Sequence, residues 1–438
     1  MHTVYISFGS NLGHRLGYLQ RAFEALDGLA LTQIEPSVIL GTPALLLPNA
    51  PQEWDKPYLN MVVRAKTSLQ PESLLSALKL IEKECGRDLN APRWSPREID
   101  LDLLLYDDLC LQNERLTIPH AELKNRGFFL HLLAMLNPEL KFPGTDETCD
   151  TLARDALKTE KPWTKTMVLY PRCMGIVNVT PDSFSDGGQY FDPDAAITHC
   201  RQLLSKGASI LDIGAQSTRP HSAQLRTAED EWERLQPVLD RLDLTQIPVS
   251  IDTYREEVIE KLLSQYKIAW INDVSGRLSE KTLHFIAEKG CKICTMHNLS
   301  VPPRKDEVID PPLEQAMHLW CQQQVERLTR CGFELKDIIL DPGIGFGNTP
   351  YQAGLLFKTI AQMKHWGCKI LLGHSRKSCY NALGTYEPQD RDLETVAISL
   401  LLKNKVDYFR VHNVAEHQRA FAAQQWVESC YENWSDVR

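Results

Sequence analysis

The chain has 438 residues, 43% of them hydrophobic and 24% charged, and its formal net charge is −9. At about 150 residues per domain this length accommodates two or three folded domains, and the composition is ordinary for a folded protein. The negative charge argues against a general nucleic-acid binder, which needs a basic surface to displace counterions.

The N-terminal sequence MHTVYISFGSNLG has no basic region leading into an apolar signal core. No apolar run approaches the roughly 18 residues that a membrane-spanning helix needs. We therefore expect the protein to stay in the cytoplasm.

The 12 cysteines are scattered along the chain, which disfavours a disulfide scaffold in a protein of this size. Cys291 and Cys294 form the only close pair, within the apolar run CKICTM. A metal or redox role stays open, but alternating strand residues are the favoured interpretation, since no second CxxC or histidine pair completes a metal site.

The first 160 residues mix strand and helix patterns irregularly. Apolar strand-like runs occur at 4–8, 34–40, 58–65 and 101–106, while helical spacings follow Asn11 and Pro71. Such mixing within a short span predicts a small α+β sandwich, ferredoxin-like or similar.

Two aspartates in the segment RWSPREIDLD carry the chemical signal of this part of the chain. On a strand, Asp100 and Asp102 point to the same face, with side chains roughly 7 Å apart. Such a pair can hold Mg²⁺ against substrate phosphates. A solvated strand is the alternative for the aspartates alone. The combination with phosphate-binding arginines and an aromatic cover is more specific: Arg87, Arg93, Arg97 and Trp94.

This part of the chain resembles 6-hydroxymethyl-7,8-dihydropterin pyrophosphokinase. The resemblance rests on that segment and on FGSNL at 8–12, TP at 42–43, YLN at 58–60, RLTIPH at 115–120 and KNRGF at 124–128. It implies that Asp100 and Asp102 bind two Mg²⁺. It implies a pterin sandwich of Tyr58 and Phe128, edged by Thr42, Pro43 and Asn60. It also implies an ATP site, in which Arg87 and Arg97 are catalytic: Arg87, Arg93, Trp94, Arg97, Leu103, Arg115, Thr117, His120 and Arg126.

One position departs from this family's pattern. The family often carries a second arginine two residues after the one matching Arg87, and here that position is Leu89. One charged contact to the triphosphate of ATP is therefore missing from the pattern. The alternative is a ligand-sensing module that has lost its kinase activity, and an assay of ATP-dependent pterin pyrophosphorylation separates the two.

The polar segment KTEKPWTK, residues 158–165, has no secondary-structure period and predicts a domain boundary. We expect a first domain over 1–160, a linker over 161–168 and a second domain over 169–438. In the second, eight short apolar runs alternate mostly with helix-length amphipathic segments, which predicts a (β/α)₈ TIM barrel. The runs are 175–179, 210–214, 248–252, 268–272, 292–296, 338–341, 370–373 and 408–411.

Each run ends on polar side chains of the kinds that bind and catalyse. A purely apolar core would not gather so many carboxylates and amides, so this end of the barrel is predicted to hold a site. The residues at the run ends include Asn178, Asp212, Asp252, Asn272, Asp273, His297, Asp341, Lys377, Arg410 and His412.

The second domain resembles dihydropteroate synthase. The matching motifs are MGIVNVTPDSFSDGG at 174–188, STRP at 217–220, SIDT at 250–253, IND at 271–273, DPGIGFG at 341–347, SRK at 375–377 and RVH at 410–412. The resemblance implies a pterin pocket of Asp252, Asn272, Asp341 and Lys377. It implies pyrophosphate held with Mg²⁺ by Asn178, Arg410 and His412. It implies a p-aminobenzoate site of Thr218, Arg219 and Ser378, with Lys377, Arg410 and His412 catalytic.

Four residues at three places depart from the synthase pattern, and they bear on loop closure: Ala215-Gln216, Asn348 and Asn413. The alternative for this domain is a pterin-dependent methyltransferase, but STRP and SRK favour the synthase. For Arg410 a structural alternative also stays open, in which it pairs with a neighbouring carboxylate at the barrel rim.

Together the resemblances imply a bifunctional enzyme of folate biosynthesis. The first reaction transfers pyrophosphate from ATP to 6-hydroxymethyl-7,8-dihydropterin, and the second replaces that pyrophosphate with p-aminobenzoate to give 7,8-dihydropteroate. The implied cofactor is Mg²⁺, ATP is a co-substrate, and the partners are small molecules rather than nucleic acid or membrane. The barrel is implied to be a sulfonamide target, and a homodimer through it remains open.

Overall fold

A computed structural model describes residues 1–46, 49–88, 90–92, 94–158, 163–179, 192–216, 227–300, 309, 312–384 and 386–432. The chain divides into two compact units. Unit 1 contains Met1–Leu169 together with the residues from Gln418 onward, and unit 2 contains Tyr170–His417. No helix among the described residues is long and apolar enough to cross a membrane.

Unit 1 is built on an antiparallel sheet. Its strands within the described residues are β1 (His2–Ser10), β2 (Leu31–Pro36), β3 (Ile39–Thr42), β4 (Tyr58–Thr67), β5 (Asp100–Tyr106) and β8 (Lys165–Met167), while β6 (Leu111–Gln112) and β7 (Thr117–Ile118) form a separate ribbon. The order is β5-β1-β4-β3-β8, with β2 also pairing with β4. Its helices are α1 (Arg15–Ala25), α2 (Pro71–Glu84), α3 (Gly127–Leu136) and α4 (Cys149–Ala156).

The core of unit 1 follows from two sequence periods. Alternate residues of β1, such as Ile6 and Phe8, are fully buried beneath the helices. Leu74 and Leu78 lie four residues apart on α2 and are also buried in this cluster. The predicted α+β sandwich is confirmed.

Unit 2 is a closed barrel of parallel strands. The strands are β9 (Arg172–Asn178), β10 (Ile210–Gly214), β11 (Val249–Asp252), β12 (Trp270–Asp273), β13 (Lys292–Met296), β14 (Ile338–Asp341), β15 (Lys369–Leu372) and β16 (Tyr408–Val411). Each strand pairs with the next, and β16 pairs with β9 to close the barrel. The predicted TIM barrel is confirmed, and Cys294 lies in its buried interior layer.

Helices lie between most of these strands, as the repeated alternation predicts. Those in the described residues are α5 (Pro193–Ser205), α6 (Ala228–Leu239), α7 (Glu256–Gln265), α8 (Glu280–Glu288), α9 (Leu313–Arg330), α10 (Pro350–Thr359), α11 (Asp392–Leu402) and α12 (Val414–Glu432).

The expected domain division differs from these units in two places. Within the segment predicted as a linker, β8 pairs with β3 and so extends the sheet of unit 1. At the other end of the chain, α12 contributes residues to unit 1: the backbone N–H of Val168 donates to Gln418 Oε1 at 2.9 Å, and Gln425 Nε2 donates to the carbonyl of Pro36 at 2.9 Å. A local composition pattern cannot reveal pairings between residues so far apart in sequence.

Candidate functional sites

Unit 1 contains a cavity of about 610 Å³, which we call the unit 1 cavity. Most of the residues predicted for the first site line it: Thr42, Pro43, Tyr58, Asn60, Arg87, Trp94, Arg97, Asp100, Asp102, His120, Arg126 and Phe128. Three others lie outside its lining. Leu103 is buried in the hydrophobic core, Arg115 is exposed on the surface, and Thr117 is half-buried on β7. Arg93 and Leu89 fall outside the described residues.

One end of the unit 1 cavity is charged, and Asp100 lies at its centre. Both aspartates of β5 line the cavity, as the same-face argument predicts. Arg87 contacts Asp100 Oδ1 at 2.6 Å, and Arg97 contacts Asp100 Oδ2 at 3.2 Å. Burial alone would raise the pKa of Asp100, but Arg97 and Arg87 outweigh it and lower the pKa below its ordinary value. This carboxylate is therefore charged at neutral pH.

Two residues of α2 that were not predicted contact this end: Lys79 lines the cavity itself, and Glu82 holds residues that line it. Glu82 is fully buried, accepts a hydrogen bond from the backbone N–H of Leu101 at 2.7 Å and contacts Arg87 at 2.7 Å. Lys79 Nζ donates to Glu82 at 2.8 Å and contacts Asp102 at 3.3 Å. The sequence could have indicated Glu82, because this residue falls on the apolar stripe of an amphipathic helix. A carboxylate in such a place needs a partner.

The other end of the unit 1 cavity is aromatic and amide-lined. Asn60 on β4 is 5% exposed, and its Nδ2 donates to Thr42 Oγ1 at 2.8 Å. Tyr58 lies two residues earlier on β4, and Phe128 lies in the first turn of α3. Trp94, which also lines the cavity, has a left-handed backbone with φ of 73°, and the guanidinium of Arg126, a residue predicted for the ATP site, lies 5.9 Å from its ring centre. Aromatic faces and amides suit a flat heterocycle with hydrogen-bonding edges.

In unit 2, Arg410 on β16 contacts aspartates of two other strands, β10 and β11. Its Nε donates to Asp212 at 2.5 Å, and a terminal nitrogen donates to Asp252 at 2.9 Å. Asp212 is fully buried and also accepts hydrogen bonds from Ser250 at 2.6 Å and Asn272 at 3.3 Å. Burial opposes the charge of Arg410, but the aspartates raise its pKa. The pairing that the sequence left open as a structural alternative is thus present.

Asp341 and Lys377 lie beside this group. Lys377 Nζ donates to the carbonyl of Ile344 at 2.6 Å and lies 4.7 Å from the ring centre of Phe346. Burial lowers the pKa of Lys377 to about 8, although Asp341 opposes the shift. Burial also raises the pKa of Asp341, and Lys377 opposes it. Burial raises the pKa of Asp252 too, against the attraction of Arg410.

The turn after β14 needs glycine. Gly343 has φ of 71°, and a Cβ added there would overlap the backbone carbonyl of His297. Its backbone N–H donates to Asp341 Oδ1 at 2.8 Å, so this close approach also orients the carboxylate. Asn348, which departs from the synthase pattern, donates to the carbonyl of Gly343 at 2.7 Å and stabilises the same turn.

The remaining predicted residues are less tightly connected. Ser375 Oγ lies 2.9 Å from Nδ1 of His412, which fixes that ring at the end of β16. Asn178 ends β9 and is half-buried, and Ser378 is exposed beside Lys377. Thr218 and Arg219 fall outside the described residues. Asp212 is central in the geometry, but in the sequence it is only one of many polar residues near the strand ends.

Family profiles of known proteins match segments in both units of the chain. The family profile described as "Pterin binding enzyme" matches residues 174–412, and the profile described as "7,8-dihydro-6-hydroxymethylpterin-pyrophosphokinase (HPPK)" matches residues 5–138. A "Folate synthesis bifunctional protein" from Chlamydia muridarum is 42% identical over an aligned length of 442 residues. The alignment covers 97% of this chain and 98% of that protein. The chain belongs to the family of bifunctional folate synthesis proteins.

Two solved structures match this member of the family over the barrel. The dihydropteroate synthase of Clostridium difficile, determined with pteroic acid, is 34% identical with a TM-score of 0.54, and covers 59% of this chain and 97% of its own. The Yersinia pestis enzyme with a sulfonamide drug is 31% identical with a TM-score of 0.54, over 59% of this chain and 95% of its own.

The enzyme therefore carries out two consecutive reactions. It transfers pyrophosphate from ATP to 6-hydroxymethyl-7,8-dihydropterin and condenses the product with p-aminobenzoate to give 7,8-dihydropteroate. The sensing-module and methyltransferase alternatives are set aside by the match to bifunctional relatives along nearly the whole chain.

Proposed function

We propose that the unit 1 cavity catalyses the pyrophosphate transfer and that the strand ends of the barrel catalyse the condensation. The first assignment rests on one observation: an aspartate pair, two arginines and an aromatic, amide-lined end share a single cavity. Phosphoryl-type transfers depend on positioning and charge neutralisation more than on a strong base. The charged end supplies both.

At that end, Arg87 and Arg97 bind the triphosphate of ATP through their guanidinium donors, aided by His120 and Arg126. Asp100 and Asp102 fit Mg²⁺, which favours few carboxylates together with phosphate oxygens. When bound, Mg²⁺ neutralises the charge on the transferring phosphates. Glu82 holds Arg87 and Lys79 in place, so the cations stay oriented toward the aspartates.

At the aromatic end, Tyr58 and Phe128 stack on the pterin, while Asn60 and Thr42 hydrogen-bond to its edge. Burial raises the pKa of Tyr58, so its hydroxyl stays protonated at neutral pH. This arrangement directs the hydroxymethyl group of the pterin toward the charged end.

In the barrel, Asp341 accepts hydrogen bonds from the amine-bearing edge of the pterin, and Lys377 donates to its opposite edge. Asn272 supports this binding, because its buried Oδ1 has no hydrogen-bond partner among the described residues and can accept from a ligand. Asn178, Arg410 and His412 bind the pyrophosphate. A guanidinium fixed by Asp212 stabilises the charge that grows as the leaving group departs.

We place p-aminobenzoate beside Ser378, with Thr218 and Arg219 completing its site. Ser378 is exposed next to the half-buried Lys377, so a ligand there borders the pterin pocket. Because the Yersinia pestis enzyme was determined with a sulfonamide drug, sulfonamides are expected to compete for this position.

We also propose that the enzyme forms a homodimer through α11. Leu393 and Leu401 on this helix are 76% and 73% exposed, and Ala397 between them is exposed as well. Residues spaced by four share one helix face, so the three form an apolar stripe. Sedimentation of the double variant Leu393→Glu/Leu401→Glu tests this. We expect half the wild-type mass with the barrel still folded, and an unchanged mass would contradict the proposal.

The site assignments are tested by two variants of the full-length protein, Asp102→Asn and Lys377→Met. Production of AMP reports the first reaction, and production of dihydropteroate from pre-formed pterin pyrophosphate reports the second. We expect Asp102→Asn to stop only AMP production and Lys377→Met to slow only the condensation. Loss of both reactions in either folded variant, or of neither, would contradict the assignment.

A further inference from the structure

Among the described residues that line the unit 1 cavity, one lies outside the matched kinase region. Trp163 lines this cavity, whereas the pyrophosphokinase profile ends at residue 138. The residue stands just before β8, in the segment predicted from sequence to be a linker. Its side chain is half-buried at the cavity wall.

The backbone next to Trp163 is held against β3. The N–H of Thr164 donates to the carbonyl of Gly41 at 2.9 Å, and Lys165 pairs with Gly41 in the antiparallel register. When the same register is extended by two residues beyond the pair of Gly41 and Lys165, Trp163 lies opposite Pro43. The strands approach closely because Gly41 has no side chain: a Cβ there would lie 3.1 Å from Cβ of Lys165.

The indole itself is fixed by a ring contact. Trp163 stacks on His131, with ring centres 4.8 Å apart and planes inclined by 25°. Burial lowers the pKa of His131, so the ring is neutral at physiological pH and stacks without a charge to solvate. His131 lies three residues after Phe128 on α3, hence on the same helix face.

These neighbours locate Trp163 at the aromatic end of the unit 1 cavity. Pro43 and Phe128 both belong to the predicted pterin sandwich and edge, and Thr42 follows Gly41 directly. At the charged end, Arg97 contacts Asp100. Asp100 begins β5, and Arg97 lies in the segment just before that strand. An indole face at this place meets the heterocycle rather than the phosphates.

We propose that Trp163 is a pterin-contacting residue of the kinase reaction, contributed by the segment that joins the two activities. This inference rests on the assignment of the unit 1 cavity to that reaction. The indole adds a third aromatic surface to those of Tyr58 and Phe128. It binds the bicyclic pterin ring without touching ATP, and His131 acts as its positioning residue.

The test compares steady-state kinetics of full-length variants, with AMP formation as the readout and p-aminobenzoate omitted. Trp163→Ala should raise KM for 6-hydroxymethyl-7,8-dihydropterin roughly five- to tenfold, the loss expected for one aromatic contact. KM for ATP and kcat should change less than about twofold. Trp163→Phe should recover most of the affinity, and His131→Ala should raise the same KM by a smaller factor, because it loosens the indole.

Two controls make each outcome decisive. Trp426→Ala removes a 56% exposed tryptophan outside the cavity lining and should change nothing. Phe128→Ala should raise KM for the pterin. If it does and Trp163→Ala does not, the inference about Trp163 alone is wrong. If neither variant changes KM for the pterin, the aromatic end of the cavity is wrongly assigned and the inference is wrong as well. A rise in KM for ATP, or tighter pterin binding by Trp163→Ala, would overturn it as well.

Discussion

Buried carboxylates hold the cations of both sites. Glu82 contacts Lys79 and Arg87 in unit 1, and Asp212 contacts Arg410 in unit 2. Neither carboxylate is exposed to solvent. A buried charge is tolerated only with partners, so we propose that these residues position the cations rather than react themselves.

Lys79 is the partner of Glu82 whose loss we expect to be informative. Lys79→Met should lower the apparent melting temperature by a few degrees, since roughly 1–2 kcal/mol is lost from a partly exposed charged hydrogen bond. It should also slow AMP formation, because Asp102 loses a contact. Lys83→Met is the matched control, as Lys83 is exposed on the same helix. Equal effects of the two variants in thermal unfolding and AMP assays would contradict this role.

Arg410 pairs with two aspartates, and we propose that it is catalytic as well. We expect Arg410→Gln to lower kcat of the condensation by about 10²–10³, because a preorganised donor to the leaving pyrophosphate is removed. It should also destabilise unit 2 by about 3–5 kcal/mol, because Asp212 and Asp252 lose their cation. Single-turnover synthesis from pre-formed pterin pyrophosphate and thermal unfolding measure the two effects. A normal single-turnover rate would restrict Arg410 to the structural role.

The pKa of Lys377 predicts a pH dependence. Burial lowers this pKa to about 8, so the ammonium loses its proton as the pH rises through that value. We expect kcat/KM for the condensation to fall above about pH 8, since a neutral amine is a weaker donor to the pterin. Lys377→Arg keeps its charge throughout and should remove this fall. A fall that persists in the arginine variant would assign the titration to another group.

At the scale of elements, the strands of the barrel were predicted almost residue by residue. Each is a short apolar run, and a parallel strand covered on both faces needs that pattern. The turns between strands and helices were less predictable, because their conformations depend on neighbours distant in sequence. Gly343 shows this: its close approach to the carbonyl of His297 joins two strand ends that lie far apart in the chain.

Gly343→Ala should damage the barrel rim. An alanine there meets both a backbone clash and a left-handed φ, neither of which a flexible side chain can relieve. We expect the condensation to slow at least tenfold as Asp341 loses the orienting N–H bond. Gly354→Ala is the matched control, because it lies in α10 with nothing within 4 Å of an added Cβ. The comparison uses the dihydropteroate assay, and similar rates in the two variants would be contrary to this account.

At the scale of the whole molecule, the sequence motifs named most of the residues that the structure brings together at the two candidate sites, because the motifs are local. The composition of each unit was harder to predict. The strand β8 and the residues from Gln418 onward join unit 1 through pairings with segments more than a hundred residues away. The polar composition of residues 158–165 suggested a domain boundary, but it carries no information about partners so distant in sequence.

Because the described residues that line the unit 1 cavity all belong to unit 1, we expect the intermediate to pass through solvent. A mixture of two full-length variants, Asp102→Asn and Lys377→Met, should then produce dihydropteroate from ATP, hydroxymethyl-dihydropterin and p-aminobenzoate. The rate should rise with protein concentration, after a lag while the intermediate accumulates. No product from the mixture, with each variant active in its own remaining half-reaction, would show that the intermediate is not released.

The assembly of unit 1 from both ends of the chain bears on how the protein is made. A ribosome releases every barrel strand before it releases Gln418, whose side chain accepts the hydrogen bond from Val168. Synthesis of unit 1 therefore begins before that of unit 2 but is completed after it, once the barrel sequence has emerged from the ribosome. For the same reason, no single cleavage of the backbone yields two fragments that each contain one whole unit.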